Sequence, residues 1–274
     1  MNRGAHMNPS KGFPDTLVQA ALDDALSAGS RLPLLAITGL QGSGKSTLAA
    51  QVVEAAARRG LRAATLSIDD VYLTRAERRE LAHRRHPLLE TRGPPGSHDL
   101  ALALRTLDAL AAGEPTLLPR FDKLSDDRHR PDRWTRVDHP LDLVVVEGWF
   151  LGTPPESEAA LLTPINTLER DEDADGRWRR AVNESLGRDY PALWQRFDRL
   201  WYLQAPGFEI VPEWRWQQEQ ALQAAEPGRK GMTREQVERF VQFYERVSRQ
   251  AMRTLPGIAD RTVQLDEQRT AQPD

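Results

Sequence analysis

The stretch GLQGSGKST, residues 39–47, places three glycines, a lysine and three hydroxyl side chains in one short segment. Residues 39–46 match the pattern G-x-x-x-x-G-K-[ST] in full. Glycines let main-chain N–H groups wrap around a phosphate, because side chains there would block its approach or forbid the dihedral angles. The lysine reaches the β- and γ-phosphates, and the hydroxyl after it binds Mg²⁺. The pattern therefore predicts a loop that binds a nucleoside triphosphate and is made of Gly39, Gln41, Gly42, Ser43, Gly44, Lys45, Ser46 and Thr47.

Carboxylates that follow two apolar segments offer the remaining groups of a phosphoryl-transfer site. Asp69 and Asp70 end one of these segments, and a carboxylate at the carboxyl edge of a parallel sheet can take the proton of an acceptor hydroxyl. We assign this role to Asp69 and interpret Asp70 as a helix cap or a supporting group. In the run LVVVEG, Glu147 follows four apolar residues, as in a Walker B strand. Ser46 and Glu147 are therefore the predicted Mg²⁺ ligands, with Glu147 acting through a water molecule; the alternative role for Glu147 is to polarise the catalytic centre.

A parallel sheet is needed to bring these residues together. The apolar run 32–38 predicts a strand buried on both faces, residues 45–60 a helix, and residues 62–68 the next strand of a right-handed β-α-β unit. Further helices are predicted over 15–29, 74–84, 98–113, 208–226 and 233–255, and further strands over 141–150, 197–205 and 261–266. Residues 152–190 are rich in charge and proline, so we expect a surface loop with a short helix there. The pattern indicates an α/β fold with helices flanking the sheet.

The composition narrows the classes of partner. The 274 residues include 37 Lys and Arg and 40 Asp and Glu, which gives a net charge of −3. The chain therefore lacks the general basic surface that nucleic acid or an anionic membrane would require. The absence of cysteine excludes disulfides and thiolate chemistry. No apolar run approaches the ~20 residues of a membrane span, and the polar N-terminus, where Met7 is an alternative start, does not resemble a secretory signal. We expect a cytoplasmic protein.

Five motifs that follow one another along the chain resemble a known family. GLQGSGKST, SIDDVYLT, TRGPPGSHD, LPRFDK and VVVEGWFLG are similar to motifs of the P-loop D-glycerate 3-kinases, which are distantly related to uridine kinase, phosphoribulokinase and pantothenate kinase. The resemblance extends from about residue 32 to residue 266. It implies a P-loop NTPase fold in which residues 1–31 form an N-terminal segment and helix. Residues 32–274 would form a single kinase domain with a helical lid at about 212–232.

The resemblance also implies roles for residues outside the glycine-rich loop. Asp69 matches the carboxylate that activates the acceptor, and Tyr72 in the same motif is an expected acceptor-binding residue. Arg92 and His98 match an R-G-x-x-G-[ST]-H-D loop. We expect Arg92 to bind an acceptor carboxylate, since arginine pairs with carboxylates in a bidentate manner, and His98 to bind acceptor hydroxyls.

The P-R-[FY]-D-K motif and the lid supply the remaining candidates. Arg120 is a second candidate for the acceptor carboxylate, and Asp122 is an alternative to the histidine for the hydroxyls. In the lid, Arg215, with Lys230 as a weaker candidate, would close on the transferring phosphate and neutralise its developing charge. A bland alternative for Arg215 is an ion pair with a glutamate on the same helix.

The expected reaction is transfer of the γ-phosphoryl group of MgATP to the 3-hydroxyl of D-glycerate, which yields 3-phosphoglycerate. One alternative is a kinase for another small alcohol: a nucleoside, pantothenate or a sugar acid. Another is a nucleotide-dependent switch or ATPase, although the sequence lacks the N-K-x-D motif of guanine recognition and the L-S-G-G-Q motif of transport ATPases. The expected partner is a small molecule, and the sequence does not indicate an oligomeric state.

Overall fold

A parallel sheet of five strands lies at the centre of the computed structural model, which describes residues 12–225 and 231–272. In spatial order the strands are β2 (Ala63–Ser67), β7 (Leu143–Gly148), β1 (Leu34–Gly39), β8 (Arg199–Gln204) and β9 (Arg261–Gln264). β1 and β7 are buried along their whole length, which explains why both read as nearly continuous apolar runs. The predicted α/β architecture with a parallel sheet is confirmed.

Helices pack against both faces of this sheet. Their bounds are α1 (Asp15–Leu26), α2 (Lys45–Arg58), α3 (Arg75–Arg84), α4 (Leu100–Ala112), α5 (Thr167–Glu172), α6 (Arg177–Arg188), α7 (Pro191–Trp194), α8 (Val211–Ala225) and α9 (Arg234–Thr254). Alternate residues of β1 point to opposite faces: Leu35 and Ile37 join a core that includes α1, α2 and α8. Leu34 and Ala36 join a second core that includes α4, α6 and most of α9. α1 thus shares a core with the sheet rather than standing apart from it.

In the stretch of chain between α4 and β7, where the sequence pattern predicted no regular structure, the structure contains two small antiparallel ribbons. One pairs β3 (Thr116–Leu118) with β6 (Thr135–Val137), and the other pairs β4 (Phe121–Asp122) with β5 (Asp127–Arg128). The second ribbon, residues 121–128, is called the hairpin below. The hairpin lies near the end of β2. Asp70 follows that strand, and its carboxylate accepts a hydrogen bond of 3.1 Å from the Phe121 main-chain N–H.

The expectation of a surface loop over residues 152–190 is wrong for much of that segment. α5 and α6 form there, and Trp178, Val182 and Leu186 of α6 are buried in the core. These three residues recur at intervals of four, so they share one face of the helix. The charged residues on the other face of α6 gave the segment the composition of a loop and concealed its apolar stripe.

The other predicted helices and strands occur with their ends shifted by a few residues. Within residues 12–225 and 231–272, no helix combines the length and the hydropathy that crossing a bilayer demands. Met7 and Lys230 lie outside the described residues.

Candidate active site

The glycine-rich loop connects β1 to the first turn of α2 in a conformation that requires its glycines. Gly42 and Gly44 have φ angles of 83° and 90°, a region that other residues rarely adopt. A Cβ atom on Gly42 would lie 2.6 Å from the Cβ of Trp214, and one on Gly39 would lie 2.8 Å from the carbonyl oxygen of Leu203. The loop is therefore shaped both by its backbone angles and by close packing against neighbouring elements.

The C-terminal segment also contacts the loop and the tryptophan that packs against it. The Arg269 guanidinium donates a hydrogen bond of 2.7 Å to the carbonyl oxygen of Gly42 and lies 5.2 Å from the ring centroid of Trp214. The Trp214 indole N–H in turn donates to the carbonyl oxygen of Glu267 at 2.8 Å. α8 and the chain after β9 thus clamp the loop that is predicted to bind ATP.

A cleft of about 550 Å³ opens in front of this loop. The predicted site residues that line it are Gln41, Gly42, Lys45, Ser46, Asp69, Tyr72, Arg92, Glu147 and Arg215. The structure therefore brings together the predicted phosphate-binding lysine, both predicted metal ligands and the predicted acceptor-activating carboxylate.

Strand register explains this convergence. Glu147 at the end of β7 is aligned with Ile37 on β1 and with Ser67 on β2. Parallel strands present their carboxyl ends at one edge of a sheet, so the Glu147 carboxylate lies between the glycine-rich loop and Asp69. Glu147 is buried and lines the cleft.

The groups around Lys45 suit a bound phosphate. Lys45 is partly buried and forms no salt bridge within the described part of the chain, although Glu147 and Asp69 act on it electrostatically. Burial lowers the pKa of Lys45, and the two nearby carboxylates only partly offset this effect. An anionic ligand would compensate the desolvated ammonium. The buried hydroxyl of Ser43 also has no hydrogen-bond partner among the described residues.

Two oxygen groups in the same cleft fit a magnesium ion. The Ser46 side chain at the start of α2 is exposed, and the Glu147 carboxylate is buried at the cleft wall. Hydroxyl and carboxylate oxygens, together with phosphate oxygens, are the ligands that Mg²⁺ takes in nucleotide sites.

Asp69 lines the part of the cleft where the acceptor is predicted to bind, called the acceptor side below, and both of its carboxylate oxygens are engaged. The Tyr72 hydroxyl donates to one oxygen at 2.6 Å, and the Lys123 ammonium donates to the other at 2.7 Å. Burial alone would raise the pKa of Asp69, but the charge and hydrogen bond of Lys123 and the Tyr72 hydrogen bond hold it well below its ordinary value. Asp69 is therefore ionised at neutral pH.

Lys123 is the functional candidate that the sequence interpretation missed. It belongs to the LPRFDK motif, but only Arg120 and Asp122 were singled out there. A period of two in an extended segment places Arg120 and Asp122 on one side, and Phe121 and Lys123 on the other. Phe121 is buried and its ring packs edge-on against Tyr72 at 5.1 Å. Applied to this motif, the period of two would have indicated that Lys123, rather than Arg120 or Asp122, shares the inward side with Phe121.

The structure does not bring Arg120 or Asp122 into the cleft. The Arg120 guanidinium donates to Asp70 at 2.8 Å and to the Thr135 hydroxyl at 3.0 Å, and it faces a separate groove beside β2 and β6. Asp122 accepts hydrogen bonds from the Leu124 N–H and from the Ser125 hydroxyl, at 2.9 and 2.8 Å. The expectation that these two side chains contact the acceptor does not fit their placement, because neither lines the cleft and each is hydrogen-bonded elsewhere.

His98 is also absent from the cleft lining, but it contacts a residue that lines it. Its ring stacks against Tyr72 with centroids 4.7 Å apart, and its Nδ1 lies 2.6 Å from the Tyr190 hydroxyl. That hydroxyl accepts a hydrogen bond from the Gly96 N–H at 3.0 Å, so its proton is free to point at Nδ1. Burial lowers the pKa of His98 to about 3, and the ring is neutral at pH 7. Its position is that of a support behind Tyr72, not of an acceptor ligand.

Arg215 lines the cleft from α8. The structure also contains the alternative considered for it, an ion pair with a glutamate on the same helix. Its guanidinium donates to Glu219, four residues further on, at 3.0 Å and lies 5.8 Å from the ring centroid of Phe240. Trp214 beside it is fully buried, so this part of α8 is fixed in the core. Other cleft residues that the sequence did not indicate are Leu124, Trp149, Gln218, Leu222, Met232 and Tyr244.

Known proteins of similar sequence and structure are kinases. The chain is 35% identical over 222 residues to the "Uncharacterized kinase mug58" of Schizosaccharomyces pombe, with 77% of this chain and 78% of that protein covered. It is 33% identical over 231 residues to the chloroplastic D-glycerate 3-kinase of Arabidopsis thaliana, covering 79% of this chain and 47% of that protein. The D-glycerate 3-kinase structure from Cryptococcus neoformans is similar with a TM-score of 0.75 and 26% identity, over 94% of this chain and 98% of that one. No protein-family model matches the sequence.

Proposed function

The chain belongs to the P-loop glycerate kinase-like family of ATP-dependent kinases, and we propose that it phosphorylates the 3-hydroxyl of D-glycerate. The observation that carries this proposal is the single cleft lined by Lys45, Asp69 and Arg92. A phosphate-binding cation, a carboxylate able to take a proton and an arginine able to bind an acid group are the three groups that such a reaction needs.

The glycine-rich loop would hold the phosphates of ATP. Its main-chain amides and the N-terminus of α2 form an anion site, and the Lys45 ammonium would follow the charge of the γ-phosphoryl group. Ser46 and Glu147 would hold Mg²⁺, which neutralises phosphate charge when it is bound. Arg215 lines the cleft from α8 and would add a second cation to the same phosphates.

Asp69 would orient the acceptor hydroxyl and accept its proton. The acceptor oxygen then forms a bond to the γ-phosphorus, the bond between this phosphorus and the β–γ bridging oxygen breaks, and ADP takes that electron pair. Little covalent work falls to the protein in such a transfer, so position and charge complementarity supply most of the rate enhancement. Tyr72 would hold the Asp69 carboxylate in place through its hydrogen bond of 2.6 Å.

The charges on the acceptor side favour an acidic alcohol. Burial would lower the pKa of Arg92, but the Asp126 carboxylate, with which it forms an ion pair, raises it above the usual value. Arg92 also lies 5.5 Å from the ring centroid of Phe121, which fixes its position. A fixed guanidinium suits a carboxylate better than it suits a neutral nucleoside. A sugar acid shares this chemistry and is the second candidate acceptor.

The direct test is to incubate the purified protein with MgATP and D-glycerate and to identify the phosphorylated isomer by phosphorus NMR. ADP release is then compared among D-glycerate, L-glycerate, a sugar acid, pantothenate and uridine. We expect D-glycerate to give the highest turnover and 3-phosphoglycerate to be the product. Stimulation by uridine alone would contradict the proposal.

The role of Asp69 is tested by Asp69→Asn. We expect kcat to fall by about 10²- to 10⁴-fold, because the amide cannot accept the proton, while the affinity for a non-hydrolysable ATP analogue changes less than about two-fold. Asp122→Asn is the matched control, since its carboxylate accepts hydrogen bonds within the hairpin and does not line the cleft. Loss of nucleotide binding in Asp69→Asn would contradict the assigned role.

A further inference from the structure

The ion pair between Lys123 and Asp69 raises a problem for catalysis. The ammonium lies 2.7 Å from one Asp69 oxygen, and the Tyr72 hydroxyl occupies the other at 2.6 Å. A carboxylate paired in this way is a weak base, because accepting a proton would cost it the attraction of the ammonium. The acceptor hydroxyl must also approach the oxygen that Lys123 contacts. The arrangement seen here therefore has to change before Asp69 can take a proton.

Lys123 is the member of this group that is built to move. Its side chain is 58% exposed, against 28% for Asp69, and it projects from the turn of the hairpin next to exposed Leu124. Lysine carries a single charge on a flexible stem, so the Lys123 ammonium can leave Asp69 when another anion offers it an equivalent partner.

Arg92, the other cation on the acceptor side, is held much more firmly. It pairs with Asp126, and Asp126 accepts a second charged hydrogen bond of 2.6 Å from the fully buried Arg78. The Tyr244 hydroxyl donates to the Arg92 carbonyl oxygen at 3.0 Å, which fixes the backbone as well. The acceptor side thus contains one fixed cation and one mobile cation.

We propose that Lys123 is an exchangeable counter-ion that passes from Asp69 to the acid group of the acceptor when the acceptor binds. This inference rests on the proposed function, since it assumes an acceptor that carries a carboxylate. The incoming carboxylate offers the ammonium an equivalent partner, so the exchange conserves one ion pair. Asp69 is then released to accept the proton of the acceptor hydroxyl, as the oxygen–phosphorus bond forms and ADP leaves.

A neutral alcohol of the same size cannot draw Lys123 away. In that case Asp69 remains paired, and the alcohol meets a carboxylate whose basicity is suppressed. The mechanism makes selection for acidic acceptors act on the chemical step as well as on binding, so removing Lys123 should affect acidic and neutral acceptors in opposite directions.

The test compares D-glycerate with glycerol, which replaces the carboxylate by a neutral hydroxymethyl group. Wild type, Lys123→Met, Lys123→Arg and the control Arg133→Ala are assayed with MgATP. Arg133 is an exposed cation that, like Lys123, lies in the segment between α4 and β7, but it does not line the cleft. We expect Lys123→Met to lower kcat/KM for D-glycerate by about 10- to 100-fold while kcat/KM for glycerol stays level or rises. Lys123→Arg should keep most of the wild-type preference, and Arg133→Ala all of it.

An equal fall for both acceptors in Lys123→Met, or an unchanged preference, would overturn the inference and leave the proposed function standing. No turnover of D-glycerate by wild type would overturn the proposed function and the inference with it. If glycerol turnover lies below detection in every variant, calorimetric titration of D-glycerate in the presence of a non-hydrolysable ATP analogue decides. A rise in Kd of about tenfold or more in Lys123→Met supports the exchange, and an unchanged Kd overturns it.

Discussion

The nucleotide side of the cleft is built mainly from one continuous piece of chain, residues 39–47, to which Glu147 and Arg215 are added, whereas the acceptor side is assembled from separated segments. Asp69 and Tyr72 follow β2, Arg92 comes from the loop before α4, Lys123 from the hairpin and Tyr244 from α9. A local motif can encode the first kind of site almost completely. The second kind depends on contacts between residues far apart in the sequence.

The two sides also differ in what holds them. Close packing against Trp214 and a hydrogen bond from Arg269 fix the glycine-rich loop. The acceptor side relies on charged contacts: the buried guanidinium of Arg78 donates to main-chain carbonyl oxygens of Leu73 and Glu90 and to Asp126. Changes on the nucleotide side should therefore act through shape, and changes on the acceptor side through charge.

The largest expected effect is on the nucleotide side. Lys45→Ala removes the cation that would follow the γ-phosphoryl group, and we expect turnover to fall by about 10³-fold or more. The fold should persist, because burial already disfavours the charged form of this lysine. Steady-state kinetics and the circular dichroism melting curve check both points. Retention of substantial turnover would show that Lys45 does not contact the phosphates.

Gly42→Ala tests whether shape holds the loop. Alanine would place its Cβ 2.6 Å from that of Trp214 at a φ of 83°, so we expect a loss of about 1–3 kcal/mol in the free energy of unfolding and weaker ATP binding. Gly60→Ala is the matched control, since Gly60 has a φ of 77° but no atom within 4 Å of the place that an alanine Cβ would take. It should lose only about 1 kcal/mol and bind ATP normally. Equal effects in both variants would show that packing against Trp214 does not determine the shape of the loop.

A buried histidine behind the acceptor side should make the fold sensitive to acid. His98 has a pKa of about 3 in the folded protein, against about 6.5 when unfolded, so only the unfolded state gains a proton as the pH falls below 6.5. This stability is complete above that pH and is lost towards pH 3, by about 2 kcal/mol between pH 7 and pH 5. Urea unfolding of wild type and His98→Gln at both pH values should show a smaller pH-dependent loss in the variant. The same loss in both proteins would contradict the assignment.

The smallest predicted change concerns Arg120, which contacts Asp70 rather than the cleft. We expect Arg120→Ala to raise the KM for the acceptor only a few-fold, about 1 kcal/mol, by loosening the hairpin, with the KM for ATP unchanged. Arg136→Ala, which removes an exposed cation of β6, is the control. An increase of about 100-fold would instead indicate direct contact between Arg120 and the acceptor carboxylate.

The sequence by itself determined the nucleotide side, including the strand, the glycine-rich loop, Lys45 and the helix after it. It could do so because the chemistry of phosphate binding depends on backbone angles and on side chains that are neighbours in the chain. It also predicted that Asp69 and Glu147 lie at one edge of the sheet, where both line the cleft, since apolar runs mark strand ends and parallel strands share one carboxyl edge.

Only the tertiary structure decided which polar residues face the acceptor. Lys123, Arg120 and Asp122 are nearly adjacent in the sequence, yet Lys123 reaches Asp69 while Arg120 turns to Asp70. That division follows from the pairing of the hairpin and from two neighbouring carboxylates at the end of β2 that point to different partners. The period of two along residues 120–123 separates the side of Lys123 from that of Arg120 and Asp122, but it carries no information about which distant partner each side chain meets.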